Sequence, residues 1–247
     1  MAKITISGIG KSFDDLVAID NLAIEVDEGE FLGLVGPTGC GKTTLLNLVA
    51  GLERPSKGSI MIDGEEVLKP GFDRGMIFQE GALLPWRTVE ENVAFGLEIK
   101  GVNGDERKKI TQKYIDLVGL KGFEDSYPYE LSGGMAQRVA LARVLAYDPE
   151  ILLMDEPFAS VDALTREKLQ NELLRIWGEM RKTILFVTHS IDEAVYLSDR
   201  VAVMSSRPAR ITEVVNIDLP RPREGSRSSK TFVEIRERIW GILREEV

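Results

Sequence analysis

The chain has 247 residues, 43% of them apolar and 29% charged, the balance of a globular protein with a sizeable core. Thirty-one basic against forty acidic side chains leave a net charge of −9, which argues against a main affinity for nucleic-acid backbones, since that needs a basic face. No window approaches the roughly 18 consecutive apolar residues of a membrane span, and one cysteine, Cys40, with one histidine, His189, excludes an internal disulfide and any cysteine-based or multi-histidine metal site.

Residues 3–9 and 21–26 alternate apolar and polar, as half-buried strands do. Phe31 to Val35 is a nearly continuous apolar run that stops at a glycine-rich turn, and Thr43 to Ala50 then reads as a helix ended by Gly51. Ser59 to Ile62 followed by Asp63-Gly64 predicts a strand entering a hairpin turn. From Val89 to Tyr147 the periodicity is helical. Two short apolar runs follow, Ile151–Met154 and Ile184–Val187, separated by a helical stretch from Ala163 to Met180; this is the pattern of a buried parallel sheet. Past Met204 the chain turns proline- and arginine-rich through Pro220-Arg221-Pro222-Arg223. It closes on an amphipathic helix carrying Phe232, Ile235, Ile239 and Ile242. Without a charged-then-apolar N-terminal export pattern, a cytoplasmic location is expected.

Residues Gly36, Pro37, Thr38, Gly39, Cys40, Gly41, Lys42 and Thr43 fit G-x-x-x-x-G-K-[S/T] after a predicted strand and before a predicted helix. The glycines let backbone N–H groups converge on an anion, and the helix N-terminus adds its dipole. Lys42 is expected to reach the β- and γ-phosphates, the Thr43 hydroxyl to ligate Mg²⁺, and Thr44 to be the next donor to phosphate. Cys40 inside this loop is either a small filler or a thiol that Lys42 and the oriented amides favour as thiolate.

The apolar run ending in Asp155-Glu156 supplies two carboxylates at a strand end, where a phosphate-loop enzyme holds its metal. Asp155 is expected to bind Mg²⁺ and Glu156 to act as general base on the attacking water. His189 follows the other apolar strand and is therefore placed at the same carboxyl edge, in reach of the γ-phosphate. Ser132 before Gly133 and Gly134 opens a helix and presents a second set of free N–H groups. One nucleotide needs one such cradle, so two suggest two ligands or one nucleotide clamped between two subunits.

The chain resembles the ATP-binding subunit of ABC transporters over essentially residues 1–205. The matching motifs are Gly36–Thr43 (Walker A), Phe78-Gln79-Glu80 (the Gln loop) and Leu131-Ser132-Gly133-Gly134 (the signature), followed by Met154-Asp155-Glu156-Pro157 (Walker B), Asp162 (the D-loop) and Thr188-His189 (the switch). The resemblance implies an α/β fold, a P-loop NTPase core of RecA-like, mostly parallel sheet, with an N-terminal antiparallel β subdomain and an α-helical insert. The corresponding segments are 1–85 with 149–205 for the core, 86–148 for the insert and 206–247 for a tail. It further implies that Phe13 stacks on adenine, with a core Phe as the rival reading, and that Gln79 senses the γ-phosphate and Mg²⁺. The signature of one subunit, Leu131 to Met135, would cover the nucleotide on the Walker A of another, so that two ATP close a head-to-tail dimer and hydrolysis opens it. Three departures stand out: Met135 replaces the usual signature Gln and cannot donate a hydrogen bond, the D-loop reads Ala159-Ser160-Val161-Asp162, and Ser190 follows the switch histidine.

Gly81-Ala82-Leu83-Leu84-Pro85-Trp86 and the late Pro-Arg-Pro-Arg resemble the nitrate/sulfonate/taurine importer branch. The expected function is thus the ATPase motor of an importer on the inner face of the cell membrane, partnered by integral membrane permease subunits and an extracytoplasmic solute-binding protein, without nucleic acid. Leu83, Leu84 and Trp86 then either receive the permease or pack under the insert. The basic tail has the rival reading of a solvated linker near anionic lipid headgroups. Alternatives in function are the ATPase of a lipid or efflux transporter, and a soluble ABC ATPase acting on ribosomes or DNA. The latter usually carries two ATPase units or long coiled coils, and the stretch from Gln79 to Leu131 is too short for such an arm.

Overall fold

A computed structural model describes residues 2–79, 82–159 and 161–246 of the chain. Glu80 of the Gln loop, Gly81 after it and Ser160 of the D-loop lie outside the described residues. In chain order the elements are β1 (Ala2–Phe13), β2 (Leu16–Asp27), β3 (Phe31–Val35), α1 (Lys42–Ala50), β4 (Lys57–Ile62), β5 (Glu65–Glu66), β6 (Arg74–Ile77), α2 (Val89–Ile99), α3 (Gly104–Leu117), α4 (Gly133–Ala146), β7 (Ile151–Asp155), α5 (Ala163–Met180), β8 (Thr183–Val187), α6 (Ile191–Leu197), β9 (Arg200–Met204), β10 (Ile211–Asn216) and α7 (Lys230–Glu245). They divide into two compact units, one of Met1–Gly71, Ile151–Asp155 and Arg181–Val247, the other of Phe72–Glu150 and Glu156–Met180. The first expected segment break, 85/86, and the second, 148/149, both fall within the second unit's Phe72–Glu150 segment.

The first unit holds two sheets. Strands β1 and β2 form a long antiparallel hairpin, and β4 and β5 extend it in the order β2-β1-β4-β5. Alternation decides its faces: β2 buries Leu22, Ile24 and Val26 and exposes Asn21, Ala23 and Glu25 between them. The second sheet runs β10-β9-β3-β8-β7 within this unit, with β9, β3, β8 and β7 parallel and β10 antiparallel at its edge. Every residue of β3, β7 and β8 is buried, which is why these runs carry no polar alternation. Phe31 and Phe186, on paired strands, meet edge to face at 5.8 Å; full burial of each such side chain is worth about 1.5–3 kcal/mol. Helix α1 packs on β7 and β8, α6 on β3, and α7 on α6, β9 and β10.

The last forty residues are built into this unit. Strand β10 pairs with β9, Val215, Ile217 and Leu219 are buried, and Phe232 and Ile239 seat α7. The solvated-linker reading of the Pro-Arg-Pro-Arg stretch does not hold for its arginines. The Arg223 side chain is 2% exposed, and its Nη1 donates to the carbonyls of Val195, Tyr196 and Ser198 at 3.1, 3.0 and 2.6 Å. Arg221 Nη2 donates to the Leu197 carbonyl and to Asp199, both at 2.8 Å. A helix leaves its last carbonyls without partners, and α6 ends at Leu197; the two guanidinium groups supply donors there. Burial pushes Arg223 down to about 10 from its ordinary value, the neighbouring Arg221 charge adding to the shift.

In the second unit α2 packs on α4 and α3, α3 on α4, and α4 on α5 and β6. Thr88 caps α2 in a reciprocal box with Glu91, and Asn103 caps α3. From within α2, the wholly buried Asn92 donates to the carbonyls of Leu84, Arg87 and Thr88 and accepts from the Leu84 N–H, so one amide fixes the loop before the helix. Arg143 Nη1 donates to the Ala82 carbonyl at 2.8 Å. On that pinned loop Trp86 is 71% exposed, so it is not packed under the helices as one sequence reading allowed.

Candidate functional site

The phosphate loop joins β3 to α1 in the first unit. Gly39 and Gly41 take φ of 74° and 125°, values that an L side chain resists, and this turns the backbone through the loop. Gly41 is the N-cap of α1 and has no side chain to cap the helix, so among the described residues its first N–H groups face the loop without a capping bond. Lys42 is 6% exposed, with Nζ donating to the Gly36 and Pro37 carbonyls at 2.8 and 2.9 Å. It thereby closes the loop into a ring around its own ammonium. Thr38, Gly39 and Thr43 are exposed and Thr44 half-buried. Cys40 is 2% exposed with Sγ 3.9 Å from Lys42 Nζ, and a Cβ on Gly36 would stand 3.0 Å from that sulfur. The thiol fills the space behind the loop, the small-filler reading.

The register of the parallel sheet collects the remaining groups of this unit. Val187 of β8 is the partner of both Leu34 in β3 and Asp155 in β7. Asp155 thus lies two strand spacings, about 10 Å, from the entry to the phosphate loop, and Thr188 and His189 leave from the strand between them. Asp155 is 7% exposed, whereas the His189 side chain is exposed. The Thr188 hydroxyl donates to Glu193 at 2.6 Å and accepts from Ser190 N–H at 3.0 Å; the Ser190 hydroxyl in turn accepts from Glu193 N–H and caps α6. Ser190, in place of the frequent Asp, therefore keeps the capping role. Phe13 sits at the tip of the β1–β2 hairpin, 42% exposed with Lys11 Nζ 4.8 Å above its ring, which rules out the core reading.

Thr43 and Asp155 offer one hydroxyl and one carboxylate, hard oxygen donors that suit Mg²⁺. Among the described residues no cluster of three or more His, Cys, Asp or Glu could hold a metal alone. That set fits a cation whose other ligands are phosphate oxygens and water, the usual habit of Mg²⁺.

In the second unit Glu156 has φ of 44°, outside the range comfortable for a side chain with a Cβ. Backbone held in this way clusters at functional sites. Gln79 and Asp162 are exposed. Asp162 accepts from Thr165 N–H at 3.1 Å at the start of α5, and its hydrogen bonds to Thr165, the side chain's first, hold its carboxyl below the usual value. Ser132 caps α4 by accepting from Met135 N–H at 3.3 Å, so position 135 contributes its backbone and leaves its side chain half-buried. Gly134 is glycine for steric reasons: a Cβ there would stand 2.7 Å from Thr165 Cγ2 on α5. Leu131 is half-buried and Gly133 exposed.

One residue with a clear role was not singled out from the sequence, and another was noted without its role. Glu193 lies three residues after Ser190, a Ser-x-x-Glu spacing that signals a helix start and was there to be read. Arg223 was noted within the Pro-Arg-Pro-Arg stretch, but nothing local signalled that it would be buried against the carbonyls at the end of α6.

An ABC transporter family model matches residues 19–159. An uncharacterized ABC transporter ATP-binding protein of Methanocaldococcus jannaschii is 61% identical over 230 residues, covering 93% of this chain and 85% of that protein. An aliphatic sulfonates import ATP-binding protein of Bacillus cereus is 46% identical over 240 residues, covering 96% and 94%. Among solved structures, a dimeric ATP-binding cassette in a post-hydrolysis state bound to ADP and Pi superposes with a TM-score of 0.77 at 30% identity, over 88% of this chain and 100% of the other. A Clostridium perfringens component of the ABC transporter complex cbiONQ gives 0.81 at 25% identity, over 99% and 98%.

Proposed function

The chain belongs to the ABC transporter family as an ATP-binding ATPase working with Mg²⁺, and on that premise we propose that it is the motor subunit of an importer for sulfonate-like small solutes. One observation carries the motor reading: the parallel sheet delivers the phosphate loop, Asp155 and His189 to one edge. The solute class is supported by the sulfonate importer relative, with which the similarity runs through nearly the whole of both chains.

In this reading the loop N–H groups from Gly39 to Thr44 bind the β- and γ-phosphates, and Lys42 exchanges its loop carbonyls for phosphate oxygens. Thr43, Asp155 and Gln79 would hold Mg²⁺, which when bound would supply positive charge against the developing phosphate charge. Glu156 accepts a proton from water as the water oxygen bonds the γ-phosphorus and the bond to the bridging oxygen breaks, releasing ADP. His189 donates to the γ-phosphate from a backbone clamped on both sides. Phe13 stacks on adenine. Leu131, Ser132, Gly133, Gly134 and Met135 of one protomer close over the nucleotide of a second, with Asp162 between them; the dimeric cassette among the solved relatives supports such a pair. The pinned loop with exposed Trp86 is the surface offered to a permease. No helix among the described residues is long and apolar enough to cross a membrane, so the span is assigned to that partner, and the chain to the inner membrane face.

The test is purification of the tagged chain from detergent-solubilised native membranes, with mass spectrometry of what accompanies it. A stoichiometric multi-span permease is expected, and in proteoliposomes with its binding protein this complex should take up alkanesulfonates at the expense of ATP. Recovery of ribosomes or DNA-repair proteins without a permease overturns the transporter reading. ATP-driven export, or lipid movement, overturns the importer.

A further inference from the structure

The turn between β9 and β10, residues 205–210, is tied by hydrogen bonds beside the phosphate loop. Ala209 N–H donates to the Ala18 carbonyl at 2.9 Å, and the Ala209 carbonyl accepts from Asp20 N–H at 3.1 Å. Arg210 pairs with Asp20. Across the turn Ser205 N–H donates to the Arg210 carbonyl at 3.0 Å, and the Ser205 hydroxyl accepts from Arg210 N–H at 3.0 Å. Two glycines of the phosphate loop abut this turn. A Cβ on Gly41 would stand 3.6 Å from Ala209 Cβ, and one on Gly39 only 2.9 Å from Arg207 Nη2. The second approach brings an exposed guanidinium onto an exposed stretch of the loop. Among the described residues none pairs with or hydrogen-bonds the Arg207 side chain, unlike Arg200, Arg210, Arg221 and Arg223 of the same unit.

We propose that Arg207 is a second cationic contact for the polyphosphate of the bound nucleotide, acting from the outer side of the loop while Lys42 acts from within. The proposal rests on the phosphate loop being the ATP site. A guanidinium carries five donors in a planar fork that matches phosphate oxygens. Here the turn that carries it is hydrogen-bonded through Ser205, Ala209 and Arg210, so less chain freedom is lost when the side chain engages, which lowers the entropic cost of the contact. Gly39 is the residue that leaves room for it: any side chain there would meet Nη2 below 3 Å. A further cation at the loop also counters the long-range repulsion that a chain of net charge −9 exerts on a polyanion.

The experiment is calorimetric titration of MgATP and MgADP into the full-length protein, its Arg207→Gln variant and its Arg207→Lys variant, at several NaCl concentrations, with thermal melting of each protein alone. Loss of a charge-assisted contact should weaken MgATP binding by Arg207→Gln about tenfold or more. The lysine variant should fall between, the salt dependence of the affinity should flatten in the glutamine variant, and the melting temperatures without nucleotide should agree. A glutamine variant that binds MgATP like the wild type, with an unchanged salt dependence, overturns the assignment. So does weakened binding that appears together with a lowered melting temperature in both variants, because Arg207 would then be holding the turn. A wild-type protein that binds neither nucleotide overturns the ATP site itself, whereas binding by the wild type and equally by the variant removes Arg207 alone.

Discussion

Thr188 donates its hydroxyl proton to the buried Glu193 carboxylate at 2.6 Å and accepts the Ser190 N–H at 3.0 Å, so the residues on either side of His189 are tied down while the imidazole itself is exposed. A hydrogen bond to a buried charged group is worth about 1.5–3 kcal/mol. Thr188→Val should lose stability of that order in urea unfolding. It should also lower the ATPase kcat with little change in the affinity for MgATP, because the histidine would leave a looser strand end. Thr188→Ser should retain both. A Val variant with wild-type kcat would show that the clamp does not position His189.

Glu156→Gln keeps the shape of the side chain and removes its proton affinity. Turnover should fall by about 10²- to 10⁴-fold, the range of general-base contributions. ATP should still bind, and light scattering in excess MgATP should report a stable dimer. A monomer under those conditions would count against both the base and the shared-site arrangement. Lys42→Ala should instead lose nucleotide affinity in direct titration.

Arg223 serves three carbonyls beyond the reach of water. Arg223→Ala should leave them short of donors at the end of α6 and destabilise the chain by about 2–3 kcal/mol, the cost of unsatisfied buried groups. Thermal unfolding followed by circular dichroism would measure it; a loss below about 0.5 kcal/mol, typical of a surface change, would mean that Arg221 suffices.

Tyr147 is pushed up to about 12, first by burial and then by the Asp73 charge, against the Arg143 charge. Its phenol ionises near 10 in the unfolded chain, so the unfolded state releases its proton first as the pH rises. The stabilisation is complete below pH 10 and is lost as the pH climbs towards 12. Between pH 9 and pH 11 the wild type should therefore lose about 1 kcal/mol more than Tyr147→Phe, which has no proton to release. Urea midpoints of both proteins at the two pH values would show it.

At Gly134 the expected cost is steric. Gly134→Ala would improve helix propensity by about 1 kcal/mol, yet the new methyl would meet Thr165 Cγ2 at 2.7 Å. Overpacking of this kind costs about 1–3 kcal/mol. The paired variant Gly134→Ala/Thr165→Ser should recover most of the loss in a chemical denaturation series.

Local chemistry was legible in the chain. Short apolar runs without alternation marked β3, β7 and β8, because strands covered on both faces need no polar side. The phosphate loop, the Ser132 cap and the helix from Ala163 to Met180 were also readable, since turn glycines, capping side chains and helical periodicity act over a few residues. The six motif stretches carried the family as well. Three things were decided in space. Val187 is shared by Leu34 and Asp155 through a strand order that no local pattern encodes. Gly134 answers to Thr165 on a helix thirty positions away in the chain, a constraint that exists only once α4 and α5 pack. Arg223 and Arg221 sit among prolines, where a guanidinium is ordinarily solvated, yet Arg223 is buried and Arg221 half-buried, because α6 ends with carbonyls that no neighbour in the chain can satisfy. Propensity and periodicity are properties of adjacent residues; register, close approach and the partners of buried polar groups arise when distant segments are brought together and water is removed from between them.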